Sequence, residues 1–367
     1  MLQDFLISFV NANFLYSTCI CFFFGLTIIR THNFFCRSFR EASKYKNNIQ
    51  TIHEGQISRL GGVTIVFSFL CYGIFNENEE VKKIIGFLLL SSTPIIVSGL
   101  IEDLFQNVSH NLRLFFIFLS SITFTFFSPF TWPFIDLFFL NELINSPVGA
   151  ILFYSFAISS ISNAINIIDG MNGLAAFAML VSFFALAFLS YVAGDYLILN
   201  ISAGMFAILS GFLLLNFPLG KIFMGDMGAY FSGFILSSII IIFYGRHYEF
   251  NYWGAFLLLI YPAIEILFSI VRKLLMGRSP FFPDGEHLHL MVFFLLKKIL
   301  KSAIQANILT TVFLSIIWVL PLISLWLDYR NEQRIIYVIC CSVFLYIFTY
   351  IVIKYFLNKI NYALKKK

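Results

Sequence analysis

The residues able to do chemistry gather at a few short junctions of the chain. They are Glu102-Asp103, then Asn163, Asn166 and Asp169, then Asn216 and Asp226, then Asp284, Glu286, His287 and His289. A fifth junction holds His53 and Arg59, and Lys221 lies between Asn216 and Asp226. Taken singly, each has a plain explanation. A junction carboxylate is usually a solvated helix end. Asp169-Gly170-Met171-Asn172-Gly173 carries the dipeptides of a turn. Asp226 suits a helix N-cap, and His287-Leu288-His289 suits an interfacial pair. Three acidic motifs and a histidine pair, flanked by basic residues, together fit an anionic substrate with a divalent cation. Mg²⁺ takes one or two carboxylates and completes its shell with water and phosphate oxygens. The sequence has no CxxC or HExxH, which argues against zinc. It has no GxxxxGK[ST], so a P-loop ATPase is excluded. Arg59 and Lys221 can add fixed positive charge, and the histidines can donate to a diphosphate. Pro280 and Pro283 disfavour helix through the last junction. An extended stretch there turns His287 and His289 to one side.

The elements that must position these residues are membrane helices. The 367 residues are 59% hydrophobic, 19% aromatic and only 12% charged, and mean hydropathy is +0.87. A soluble domain carries about 25% charge. Disorder, a nucleic-acid module and an ordinary soluble enzyme are therefore excluded. Apolar runs fall near 5–29, 61–75, 84–101, 112–129, 147–166, 173–193, 196–217, 227–244, 252–271, 303–327 and 335–358. The expectation is an all-α, polytopic protein of about eleven transmembrane helices. The stretch 132–146 reads as an interfacial or re-entrant piece. The six cysteines form no metal or disulfide pattern. No repeat or low-complexity tract divides the chain, so one integral domain over 1–367 is expected.

Lys and Arg give the orientation. With the N-terminus outside, nineteen basic residues fall in inside segments and five in outside ones. This predicts N-out, C-in. Every junction named above then faces the cytoplasm, although none of its acidic or histidine residues entered the count.

On these motifs the sequence resembles the polyprenyl-phosphate N-acetylhexosamine-1-phosphate transferases. That superfamily includes the phospho-N-acetylmuramoyl-pentapeptide transferase and the undecaprenyl-phosphate GlcNAc-1-phosphate transferases. The resemblance runs in order through about residues 51–295. It rests on HEGQISRLGG from His53, GLIED from Gly99, NAINIIDGMNGL from Asn163, NFPLGKIFMGDMG from Asn216 and PFFPDGEHLH from Pro280. Two departures stand out. Glu102 replaces the first Asp of the acidic pair, and Leu290 stands where many members carry a further His. The second departure is closer to the O-antigen-initiating branch.

The resemblance implies an Mg²⁺-dependent enzyme, with Mn²⁺ as a substitute. Such an enzyme moves an N-acetylhexosamine-1-phosphate from a UDP-sugar to undecaprenyl phosphate and releases UMP. It would act at the cytoplasmic face of a bacterial inner membrane, starting a surface polysaccharide. Asp226 is the implied metal ligand. Glu102, Asp103 and Asp169 are the implied catalytic carboxylates. Glu102 and Asp103 would deprotonate or position the lipid phosphate. His53, Arg59, Asn163, Asn166, Asn216, Lys221, Asp284, His287 and His289 make up the substrate-binding set. The expected partners are the UDP-N-acetyl-sugar, undecaprenyl phosphate, the bilayer and a second copy of the chain, with no nucleic acid. Within the superfamily the alternative is a phospho-N-acetylmuramoyl-pentapeptide transferase of peptidoglycan synthesis; a secondary transporter is the alternative of a different class, but it would hold its polar residues near the midplane.

Overall fold

A computed structural model describes residues 2–10, 12–39, 57–136, 138–280 and 284–365. His53, expected in the substrate-binding set, lies outside the described residues. The chain is all-helical as expected, and no strand occurs among the described residues. The order begins α1 (Leu2–Phe9), α2 (Ala12–Phe39), α3 (Gly61–Phe75), α4 (Glu79–Ser91), α5 (Thr93–Phe105), α6 (His110–Phe127), α7 (Phe138–Asn145) and α8 (Pro147–Ile168). It continues α9 (Leu174–Ala193), α10 (Tyr196–Asn216), α11 (Gly225–Arg246), α12 (Trp253–Leu258), α13 (Ile260–Leu275), α14 (Leu288–Leu300), α15 (Ala303–Leu327) and α16 (Glu332–Lys365).

Helix length and apolarity alone do not establish the expected eleven spans. Eight helices among the described residues are long and apolar enough to cross a membrane, and nine if α4 and α5 form one bent span. The expected span at 84–101 falls within that pair, which bends by 54° at Ser92. Pro94 opens α5 and brings no N–H. The Ile95 amide, left without a partner on its own helix, donates to Ser120 Oγ of α6 at 3.1 Å. The run expected at 61–75, short for a span, is α3 with the same bounds, and the one at 252–271 is divided into α12 and α13. The interfacial piece at 132–146 has no regular secondary structure up to residue 136, and Phe138–Asn145 form the eight-residue α7. α14 begins at Leu288, so the extended stretch expected through His289 ends at His287.

α11 is the centre of the bundle, with 94% of its apolar window buried. It packs against α3, α5, α8 and α9. Glycines set how closely. A Cβ on Gly62 of α3 would overlap the Gly228 nitrogen of α11, and one on Gly99 of α5 would overlap Met227. These contacts bring three backbones together where α11 begins. At its other end, Arg246 and His247 pair with Asp195, which also accepts from the Ile198 amide and caps α10. The two ends of α11 are thus tied to different loops, and the expected site residues collect at the first.

Candidate active site

α11 starts without a side-chain cap of its own. The cap comes from α5. Asp103 Oδ1 accepts from the Asp226 amide at 2.8 Å, and Oδ2 accepts from the Met227 amide at 3.0 Å. Gly225, at φ +71°, lets the chain turn under Arg59 and Asp103. α3 also begins without a side-chain cap. Its first amides, Gly61 and Gly62, donate to the carbonyls of Phe223 and Met224 at 2.9 and 2.8 Å. A short parallel bridge, Ser58 with Ile222, extends this join. Arg59 lies inside it and is thereby held over the start of α11.

Asp226 is nearly inaccessible and sits among cations. Arg59 Nη2 donates to its Oδ1 at 3.0 Å, and Arg113 Nη1 of α6 donates to its Oδ2. Asn166 Nδ2 of α8 donates to Oδ1 at 3.3 Å. Arg59 Nε also lies 3.6 Å from Asp103, and Arg113 Nη1 lies 3.8 Å from Glu102. Glu102 Oε2 accepts from the Val108 amide at 2.9 Å and closes the loop after α5. The acidic pair therefore carries structural contacts: Asp103 caps α11 and Glu102 ties down its own loop.

Asp169 follows the last turn of α8. No hydrogen bond or ion pair engages its carboxylate among the described residues. Burial pushes its pKa well above the ordinary carboxylate range. Arg59 opposes that shift, and the charges of Asp226 and Asp103 add to it. The loop after it is clamped. The Gly173 amide donates to Asn216 Oδ1 at 2.6 Å, and Asn216 Nδ2 donates to the Ile222 carbonyl at 2.7 Å. The Asn172 amide donates to Asn307 of α15, and its side chain donates to the Pro218 carbonyl. Asn216 thus uses both polar atoms in joining two loops. Asn163 is half-buried on α8, and Lys221 is exposed beside the same loop.

The last motif is anchored to the C-terminal helices. Asp284 Oδ2 pairs with Arg272 Nη1 of α13 at 2.9 Å. Glu286 accepts from Lys354 Nζ at 2.8 Å and from the Tyr350 hydroxyl at 3.3 Å, both on α16. The His287 and His289 rings stack, with centroids 5.7 Å apart and planes at 20°. They do face together as expected, with His287 extended and His289 in the first turn of α14. His289 packs on Gly170, where a Cβ would come 2.8 Å from its Nε2. Its Nδ1 is buried without a partner, and burial pulls its pKa down to about 4. Asp284 approaches the other histidine. Its Oδ1 is 3.8 Å from His287 Nε2, while His287 Nδ1 is held by Glu265 at 2.9 Å.

The sequence reading missed Arg113 and Glu265. Arg113 shows only as one more charge near a helix start. Glu265 carries a stronger signal, a carboxylate inside the apolar run 252–271, where ionisable residues usually serve a site. The oxygen donors of Asp226, Asp169 and Asn166 fit a hard cation such as Mg²⁺ in type. Among the described residues no three of His, Cys, Asp and Glu are close enough to enclose one. Water and phosphate would have to supply most of its shell, which Mg²⁺ accepts.

The fold and site together define a multi-pass membrane protein with an ion-paired carboxylate and guanidinium centre at one end of its bundle. Residues 85–244 match the model of glycosyl transferase family 4. A probable undecaprenyl-phosphate N-acetylglucosaminyl 1-phosphate transferase of Bacillus subtilis is 30% identical over 243 residues, 65% of this chain and 66% of that protein. An undecaprenyl-phosphate alpha-N-acetylglucosaminyl 1-phosphate transferase of Yersinia pestis is 27% identical over 265 residues, 67% and 68% of the two chains. A decaprenyl-phosphate N-acetylglucosaminephosphotransferase of Mycobacterium leprae is 29% identical over 266 residues, 65% and 67% of the two. The matches span about two thirds of these relatives. The chain belongs to glycosyl transferase family 4, among the polyprenyl-phosphate N-acetylhexosamine-1-phosphate transferases.

Proposed function

We propose that this protein transfers an N-acetylhexosamine-1-phosphate from a UDP-sugar to undecaprenyl phosphate and releases UMP. The observation that carries this reading is the convergence on Asp226 of Arg59, Arg113 and Asn166 from three separate segments, with Asp169 beside them. Guanidiniums are suited to phosphate oxygens, which they bind in bidentate fashion. In the reaction an oxygen of the lipid phosphate bonds to the sugar-bearing phosphorus. The bond from that phosphorus to the oxygen bridging to UMP breaks, and UMP leaves with the electron pair.

Arg59 and Arg113 would exchange Asp226 for the diphosphate. That exchange frees Asp226, together with Asp169 and Asn166, for a divalent cation. Mg²⁺, or Mn²⁺ in its place, would supply charge neutralisation on the phosphates when bound. Of Glu102, Asp103, Asp169 and Asp226, only Asp169 has no protein partner among the described residues. It is the carboxylate open to a proton or a cation. His287 and His289 reach the same loop through Gly170 and would contribute donors to the diphosphate.

The excess of Lys and Arg at the site end supports a cytoplasmic site in a bacterial inner membrane. A lipid-linked first sugar is a fitting start for a surface polysaccharide. The test is UMP release by the purified protein from UDP-N-acetyl-sugars, with and without undecaprenyl phosphate. Release that is independent of the lipid phosphate, or no release with any such sugar, refutes the reading. For orientation, cysteines at Ser109 and Gly285 should be labelled only from the cytoplasm, and ones at Asn78 and Asn331 only from outside. Labelling of positions 109 and 285 from opposite sides breaks the single-site arrangement.

A further inference from the structure

Glu265 lies on α13 and is 1% exposed. Its Oε1 accepts from His287 Nδ1 at 2.9 Å and from the Leu288 amide at 3.3 Å. Its Oε2 accepts from the Tyr346 hydroxyl of α16 at 2.9 Å. Both oxygens are therefore acceptors, and three donors fix the carboxylate from two directions. One of these donors is the first amide of α14, so Glu265 also sets where that helix begins. His287 is the N-cap residue of α14 but does not cap it. Its ring is turned to Glu265 instead.

The contacts continue past His287. The ring stacks on His289, and His289 packs on Gly170, next to Asp169. A line of touching groups thus runs from Tyr346 on α16, through Glu265 and two imidazoles, to the loop that enters the carboxylate and guanidinium centre. Glu265 and Tyr346 both lie beyond the family match, which ends at residue 244.

We propose that Glu265, backed by Tyr346, is a positioning residue that holds His287 Nδ1 as a donor and leaves Nε2 turned toward the donor diphosphate. This rests on the transferase reading given above. A neutral imidazole whose Nδ1–H is committed to a carboxylate presents an unprotonated Nε2. A protonated one presents a second donor. The groups facing His287 are Glu265 on α13, Tyr346 on α16, and Asp284 and His289 on its own segment. Asp284 is already paired with Arg272. Tyr261 of α13 lies within electrostatic reach of Glu265. Glu265 is the anion in direct hydrogen bond with the ring.

The experiment uses the full chain in detergent micelles, with histidines labelled with ¹⁵N. In Glu265→Gln the His287 Nδ1–H proton should move upfield, because its acceptor loses its charge. Tyr346→Phe removes a donor from Oε2 and leaves more of the charge to Nδ1. The same proton should then move downfield of its wild-type position, a change of opposite sign that mere loss of packing does not produce. In UMP release, Glu265→Gln should lower kcat by about 10–10²-fold, the range seen for groups that orient a functional histidine. KM for the UDP-sugar should stay within about threefold, because binding is less affected than the transition state. Added to His287→Ala, Glu265→Gln should cost nothing more.

An unchanged His287 Nδ1–H signal in both variants overturns the proposal. So does a further loss of about tenfold or more when Glu265→Gln is added to His287→Ala. Should Glu265→Gln fail to fold, the Tyr346→Phe spectrum decides alone. The spectra need no turnover. A protein that releases no UMP therefore refutes the transferase reading, while the Glu265 assignment is still settled by the spectra.

Discussion

Replacing Asp103 by Ala tests whether this carboxylate acts as a base or as a cap. Its two oxygens accept the amides of Asp226 and Met227 at 2.8 and 3.0 Å, at the buried start of the central helix. Removing it leaves two buried N–H groups without acceptors, each costing about 1–3 kcal/mol. The expected loss is about 4 kcal/mol for the pair. At about 2 °C per kcal/mol for a chain of this size, the melting temperature should fall by about 5–10 °C. Asp103→Asn keeps one acceptor oxygen but turns an NH₂ group toward the other amide, so it should lose a large part of the same stability. Activity should fall in both variants, because Asp226 loses its fixed position between Arg59 and Arg113. The assay is thermal unfolding of purified protein in detergent, followed by intrinsic fluorescence, with UMP release measured on the same samples. A general base without a structural role behaves differently. Its Asn variant would melt with the wild type and lose only turnover. An Asp103→Ala protein melting within about 1 °C of the wild type would falsify the capping argument.

Two further predictions concern charge. Asp226→Asn should lower UMP release by several orders of magnitude, since loss of metal charge stabilisation costs several kcal/mol. Chelator should reproduce that loss in the wild type and added Mg²⁺ should reverse it only there, whereas full activity of the Asn variant in chelator rules out the assignment. His289 is buried with its pKa pulled down to about 4, so between its ordinary value of about 6.5 and about 4 the unfolded chain takes a proton that the fold refuses. Stability should therefore be complete above about pH 6.5 and decline toward pH 4, by up to about 3 kcal/mol. Melting curves across that range should flatten in His289→Gln, and an equal decline in the variant would show that His289 is not its source.

The class of the molecule was legible in composition. Low charge and long apolar runs leave few folded alternatives, because a bilayer requires every backbone polar group to be satisfied within helices. The polar junctions were legible for the same reason: in an apolar chain a carboxylate or histidine stands out. Most of the runs did become helices, and the five ordered motifs pointed to the right family. The number of spans was less legible. Pro94 and Ser92 bend one run, another divides at Leu259 into α12 and α13, and hydropathy averages over both breaks.

What tertiary structure decided is the division of labour among the polar residues. Residue type marks Asp103, Asn216, Asp284 and Asp226 alike, as polar members of short motifs in an apolar chain, and says nothing of their contacts. Only the fold assigns Asp103 to the amides of α11, Asn216 to two loops, and Asp284 to Arg272, and leaves Asp226 among guanidiniums. The reason is distance along the chain. Arg59 and Asp226 are 167 residues apart, and Arg113 and Asp226 are 113 apart. No local pattern encodes such pairings. They follow from glycine contacts that let α3, α5 and α11 meet at one point. Glu265 was present in the sequence as an acid within an apolar run, but its partners His287 and Tyr346 lie 22 and 81 residues away. Residue type marked it as unusual, and packing alone determined what it holds.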